Sequence, residues 1–120
     1  MELPDRSFDG IVLSNILDNL KPTDSRTVLQ ETIRLLQPEG KVLIKLNPYL
    51  TREQIEAWGV RTIEGDLLDD GLLLWNRTTE AWQEELQRDF RTVRFEDVYF
   101  SEYDQHNRMF LCEALQNANK

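Results

Sequence analysis

Cysteine and histidine are nearly absent from these 120 residues: there is one of each, Cys112 and His106. A lone cysteine excludes an internal disulfide. The two together fall short of the Cys/His ligand set of a zinc site, so no metal is expected. Long apolar runs are also missing. Stretches such as Ile11-Val12-Leu13 and Leu72-Leu73-Leu74-Trp75 are far shorter than the ~20 residues of a membrane span. The opening Met1-Glu2-Leu3-Pro4-Asp5 has neither a basic nor an apolar signal region, so a cytoplasmic protein with no membrane partner is expected. Positive charge is in short supply, with 14 Lys and Arg against 22 Asp and Glu and a net charge of -8. The basic residues are scattered, which argues against nucleic acid as a partner, because phosphate contacts need clustered Lys and Arg.

What is present suits one soluble α/β unit. The chain is 40% hydrophobic and 30% charged, without repeats or low-complexity segments. Phe8 to Ser14 reads as a short buried strand. Ile16, Leu17 and Leu20 then fall at helical spacing, and Lys21-Pro22 ends that turn. Thr23 or Asp24 is expected to cap a helix reaching about Leu36, with Leu29, Ile33 and Leu36 as its apolar stripe. Gln37-Pro38-Glu39-Gly40 stops it, and Lys41 to Asn47 forms a second strand closed by Pro48. Strand, helix and strand make a βαβ unit. Thr51 to Gln54 has capping-box spacing and opens a short helix to Trp58, stopped by Gly59. Val60 to Glu64 and Leu72 to Trp75 are expected to form a hairpin around Asp69-Asp70-Gly71. Thr78 or Thr79 caps the next helix, which packs Trp82, Leu86 and Phe90 and leaves Glu84 and Glu85 in water. Thr92 to Phe100 places Val93, Phe95, Asp97 and Tyr99 on one side. A polar loop, Ser101 to Asn107, leads to an antiparallel last strand from Arg108 to Leu115. Cys112, within Met109-Phe110-Leu111-Cys112, reads as a small buried hydrophobe.

One pattern is recognisable. Ser7-Phe8-Asp9-Gly10-Ile11-Val12-Leu13-Ser14-Asn15-Ile16-Leu17-Asp18-Asn19-Leu20, followed by Glu31 to Leu36, Gln37-Pro38-Glu39-Gly40 and Lys41-Val42-Leu43-Ile44, resembles the second half of a class I S-adenosylmethionine-dependent methyltransferase. Glu39 replaces the first glycine of that family's usual pair. The resemblance implies an α/β fold: a partial Rossmann-like sheet, fourth to seventh strands plus an inserted hairpin, with flanking helices. Residues 1–120 would be the C-terminal half of the domain, and 51–76 a variable insertion. The family holds its cofactor with a Gly-rich loop whose backbone approaches the ligand closely. Here Gly10, Gly40, Gly59, Gly65 and Gly71 stand singly, and no G-x-G occurs. The chain therefore reads as a fragment: a truncation, a split gene or a start chosen too far downstream. Alone it is expected to bind S-adenosylmethionine weakly and to be catalytically silent. Two alternatives stand beside this one. The chain could be one half of a split methyltransferase, or a non-catalytic α/β protein that self-associates through its exposed sheet edge.

Ligands of doubly wound sheets sit outside the carboxyl ends of the parallel strands. By resemblance, Ser14, Asn15, Ile16 and Leu17 border the methionine part of the cofactor, and Leu3 reaches the adenine. For Ser14 and Asn15 the competing reading is a helix cap after a strand. On the acceptor side the candidates are Tyr49, Tyr103, His106 and Arg108, with the methyl acceptor itself unidentified. His106 is the candidate general base, against the plainer reading of a solvated loop histidine. Asn47-Pro48-Tyr49 is first of all a strand terminator. An EF-hand starting at Asp66 fails at Leu68, Leu74 and Arg77, so Asp66, Asp69 and Asp70 read as a charged turn. Asn76-Arg77-Thr78 is a glycosylation sequon without a secretory signal. Trp58, Trp75 and Trp82 read as packing residues.

Overall fold

The structure is a computed structural model that describes residues 3–69, 71–102 and 105–115, with Phe100 and Gln105 described by their backbone. β1 (Phe8–Ser14) is followed by a 3₁₀ turn (Leu17–Asn19) and α1 (Pro22–Leu35). β2 (Leu36–Leu46) follows without a gap. Then come α2 (Arg52–Trp58), β3 (Arg61–Glu64), β4 (Leu67–Asp69), β5 (Leu73–Trp75), α3 (Thr79–Gln87), β6 (Phe90–Phe100) and β7 (Gln105–Ala114). Among the described residues no helix is long and apolar enough to cross a membrane.

The main sheet has the order β1-β2-β7-β6, with β1 and β2 parallel and the other two pairs antiparallel. Register puts Val42 opposite Cys112, Ile44 opposite Phe110 and Leu46 opposite Arg108. Side chains alternate across a strand, so these six share one face. On that face Leu29 of α1 and Trp82 and Leu86 of α3 complete a single core with Leu13, Leu17 and Phe90. Truncating a fully buried aromatic such as Trp82, Phe90 or Phe110 to alanine typically costs about 3–5 kcal/mol. Arg26 ties the two helices together through ion pairs with Glu85 and Asp89. Glu85, expected in water, is thus half-buried between helices. Cys112 is buried in the core, and burial pushes its thiol up to about 11. The opposite face carries Val12, Leu43 and Leu111 in one cross-strand row, with Val12 64% exposed.

Several local expectations are corrected. Lys21, not Thr23 or Asp24, is the N-cap of α1, because Pro22 fits the first helical position, where a missing N–H costs nothing. Phe90 is buried as the first residue of β6, since α3 ends at Gln87. A bulge between Thr92 and Arg94 sets Val93 out of the alternation, exposed, while Phe95 packs 4.7 Å from the Phe110 ring. The polar loop before β7 is shorter than expected, because Gln105 to Asn107 already pair with β6. Residues 52–75 build a helix and a separate sheet of order β3-β4-β5, not one hairpin. Leu67, Leu68 and Asp69 form the middle strand, and β5 pairs with them rather than with β3. Asp70, part of the charged turn, lies outside the described residues. Two caps form as expected: the Thr51–Gln54 capping box, closed by Gly59 in the left-handed region, and Thr78, whose hydroxyl accepts from Ala81 N–H at 3.1 Å.

The turn into the paired part of β2 is tight. Glu39 has φ +67°, a left-handed value that suits glycine, and a Cβ on Gly40 would lie 2.9 Å from both Gln37 O and Leu36 Cδ2. The two neighbours therefore respond oppositely to substitution. Glu39→Gly should stabilise the fold by about 1 kcal/mol by releasing the strained side chain. Gly40→Ala should destabilise it by about 1–3 kcal/mol through overpacking. Urea unfolding midpoints of the two variants check this, and shifts in the same direction would contradict it.

Candidate functional site

The site is built where β1 and β2 end. Asn15 continues the pairing one residue beyond β1, its N–H donating to Lys45 O at 2.9 Å, and then turns with φ +55°, which asparagine tolerates. That turn sends the chain into Leu17–Asn19 and carries Asp18 under the end of β2. There the Asn47 backbone N–H donates to Asp18 Oδ2 at 2.7 Å, and Asn47 Nδ2 donates to the same oxygen at 3.2 Å. Asn47 Nδ2 also donates to Asn19 Oδ1 at 3.1 Å, while Asn19 Nδ2 donates to Leu73 O at 2.7 Å. From β7, Arg108 donates to the Asn47 carbonyl through Nε at 3.1 Å and Nη2 at 2.8 Å. Its Nη1 reaches Arg77 O at 2.8 Å and Thr79 Oγ1 at 3.4 Å. Both ends of the Asn47 residue are thus held, one by an acid and one by a base.

Above this floor lies an open groove of about 640 Å³. Asn15, Asn19, Asn47 and Gln54 give it a neutral amide lining. Tyr49, Trp58 and Leu72 form an apolar wall, and Asp97 and His106 stand on the β6–β7 side. His106 Nδ1 is 3.0 Å from Asp97 Oδ1, and its ring centroid lies 4.7 Å from that of Tyr99. Both members of the Asp97–His106 pair are more than half exposed. A second clamp closes the segment behind the wall: Asn76 Oδ1 accepts from Leu50 N–H at 2.8 Å, and Asn76 Nδ2 donates to Leu50 O at 2.9 Å.

The expected site residues separate into groups. Asn15, Tyr49, His106 and Arg108 come together around the groove. Ser14 and Ile16 are exposed at the same strand end without lining it. Leu17 is fully buried in the core and presents no surface to a ligand. Leu3 sits at the other end of the sheet, its carbonyl accepting from Arg34 Nη1 at 2.8 Å. The seven residues of β1, roughly 23 Å, separate it from Asn15. Tyr103 lies outside the described residues. Arg108 is only 4% exposed and its donors meet backbone carbonyls, so it acts first as a brace. Trp75 and Trp82 pack edge to face under the Arg77 guanidinium, as packing residues, whereas Trp58 is exposed on the groove. Asp18, Asn19, Thr79 and Asp97 were not expected as site residues from the sequence. A carboxylate inside the apolar run Ile16 to Leu20 was the available signal for Asp18.

Asp18 titrates abnormally. Burial raises its carboxyl above the usual carboxylate range, and hydrogen bonds from Asn47 and the field of Arg108 offset only part of this. Oδ1 is buried without a partner. A raised folded-state value means that the native form holds the proton longer than the unfolded chain. Stability contributed by Asp18 is therefore full below about pH 4 and falls as pH rises towards the elevated value. Asp18→Asn should lack this fall. Urea midpoints measured for both proteins across the acid range should diverge in favour of the variant as pH rises. Parallel curves would contradict the assignment.

Residues 1–44 match a family model described as a methyltransferase domain. No curated protein sequence matches the chain. Among solved structures, the 1,6-didemethyltoxoflavin-N1-methyltransferase of Burkholderia thailandensis, with bound 1,6-didemethyltoxoflavin and S-adenosylhomocysteine, superposes with a TM-score of 0.73 at 19% identity, covering 93% of this chain and 46% of that one. The N-methyltransferase NodS of Bradyrhizobium japonicum, in complex with S-adenosylhomocysteine, gives 0.60 at 16% identity, covering 91% and 47%. The [4+2]-cyclase SpnF gives 0.65 at 15% identity, covering 95% and 52%. The chain thus spans about half the length of the solved structures it matches. Residues 1–44 match the methyltransferase-domain model, and the described chain shares the fold of the two solved methyltransferases with bound S-adenosylhomocysteine.

Proposed function

We propose that this chain is the carboxyl-terminal half of an S-adenosylmethionine-dependent methyltransferase and supplies its acceptor groove. The observation that carries this reading is the groove itself, opening at the carboxyl ends of the parallel pair β1 and β2 within a methyltransferase fold. S-adenosylmethionine would bring a methyl group on a sulfonium, already activated for displacement. The residues present fit one side of it. The left-handed turn at Asn15 bends the chain away from the strand end, leaving Ser14, Asn15 and Ile16 exposed to border the ligand. The Gly-rich cradle for the other side has no counterpart in these 120 residues. The work left to this half is positioning, which alone is worth several orders of magnitude in rate. Asn47, fixed by Asp18 and Arg108, gives the groove a rigid floor, Trp58 and Leu72 exclude water from its wall, and His106 receives a proton from the acceptor. Separated from the other half, the chain is catalytically silent.

Calorimetric titration with S-adenosylhomocysteine tests this. The 120-residue chain should give no saturable heat at millimolar ligand. A longer chain with a Gly-rich strand and loop ahead of residue 1 should bind saturably. No binding by the longer chain would refute the methyltransferase reading, and tight binding by the short chain would refute the half-site.

A second reading concerns association. β1 is an edge strand, and Val12 at its centre is 64% exposed on a face that also carries Leu43 and Leu111. Parallel strands normally have both faces covered, and a bare apolar edge invites pairing. Without the other half, we infer that two copies associate through this edge. Light scattering should show a concentration-dependent dimer that Val12→Lys abolishes, and a strict monomer at high concentration would overturn the inference.

A further inference from the structure

The groove has a distinctive charge balance. Among the described residues that line it, Arg108 is the only permanent cation. The residue is 4% exposed, and its guanidinium is committed to the carbonyls of Asn47 and Arg77. The other fixed charge on the lining is the Asp97 carboxylate, and the whole chain carries -8. An anionic ligand would lose its hydration here, meet no available counter-charge and face a carboxylate. Phosphate and carboxylate compounds are therefore disfavoured.

The wall selects in the other direction. Tyr49, Trp58 and Leu72 are 43%, 63% and 69% exposed, although large apolar side chains usually withdraw from water. Two of the three are aromatic, and aromatic faces and edges favour a flat π-system packed against them. The same groove is lined by the pair His106 and Asp97, 3.0 Å apart. A carboxylate accepting the proton on Nδ1 fixes the tautomer in which Nε2 is an acceptor.

Resting on the methyltransferase reading of this groove, we propose that its acceptor is a flat, non-anionic aromatic molecule that offers an N–H or O–H donor to His106, with Asp97 holding the imidazole in its accepting tautomer. His106 is then a recognition residue, Asp97 a positioning residue that acts through it, and Trp58 the stacking surface.

Three probes separate the elements of the proposal: benzimidazole, 1-methylbenzimidazole and benzimidazole-5-carboxylate. Each is titrated into the 120-residue chain at neutral pH, with the Trp58 indole and His106 ring resonances followed by NMR. Benzimidazole should give saturable shifts at both residues. N-methylation should weaken it roughly 3- to 10-fold, the value of one hydrogen bond. The carboxylate should bind at least as poorly as the N-methyl compound. In His106→Ala the preference for benzimidazole over its N-methyl form should vanish, and in Asp97→Asn it should shrink. Trp58→Ala should weaken both neutral probes equally, and because α2 buries no residue this variant keeps its fold. The proposal is overturned if the carboxylate binds as well as the parent, if N-methylation has no effect, or if benzimidazole gives no saturable shift at millimolar concentration. Benzimidazole binding here, with no S-adenosylhomocysteine binding by the longer chain, would remove the methyltransferase reading and leave the ligand class standing.

Discussion

Asn47 is the point on which this structure turns. Its N–H is held by Asp18 and its carbonyl by Arg108, so two strand ends, a turn and the strand β7 converge on one residue. Asp18 brings the chain leaving β1, Asn47 follows directly on β2, and Arg108 belongs to β7. Neither charge meets the other directly; each is satisfied through the backbone between them. Burying the two groups is expensive, as the raised carboxyl of Asp18 and its unpartnered Oδ1 attest. In exchange, the end of β2 cannot fray. A loop that would otherwise move is fixed where the groove needs a floor.

The rest of the molecule is arranged around an imbalance. One face of the main sheet is closed by α1 and α3, locked together through Arg26, and contains nearly all of the buried apolar side chains. The other face leaves Val12 in solvent and Leu43 and Leu111 half-covered. Burial of apolar area is the main favourable term in folding, so the stability of the chain rests on a single layer of contacts. The groove opens at the end of that layer, and its apolar wall comes from Tyr49 after β2, Trp58 at the end of α2 and Leu72 just before β5.

Much of this fold was legible in the sequence, for local reasons. The β1-α1-β2 unit announces itself by apolar runs and by Pro22 and Gly40. The capping box at Thr51 and the cap at Thr78 are short-range chemistry that the residue types dictate. The failures have a common cause in distance. β4 is three residues in an acidic, turn-rich stretch, and only pairing on both sides makes it a strand. The bulge at Val93 depends on the register of β7, not on β6 itself. For the candidate site, the carboxyl-end rule selected Asn15, Tyr49, His106 and Arg108, which the structure gathers around one groove. Leu3 and Leu17, named by resemblance alone, lie apart from that groove: the Leu3 carbonyl is drawn to Arg34 at the opposite end, and Leu17 is apolar and sinks into the core. The bracing role of Arg108 and the presence of Asp18 follow from meeting Asn47 across 61 and 29 positions of sequence. No local pattern encodes such a meeting.

The two hydrogen bonds between the Asn76 side chain and the backbone of Leu50 have a wider meaning. A carboxamide has the same donor and acceptor as a peptide group, so Asn76 imitates a neighbouring strand for one residue. It joins the two points where the 52–75 segment leaves and re-enters the main body, and so forms a neck. Beyond the neck the segment keeps its own sheet, which does not pair with the main one and meets the main body through Asn19 at the Leu73 carbonyl and Trp75 against Trp82. Such a segment behaves as a cartridge: its length, outer wall residues and charge can drift while the socket at Leu50 and Asn76 and the contacts of Leu73 and Trp75 stay unchanged. Diversification of what the groove accepts can then proceed without renegotiating the fold that carries it.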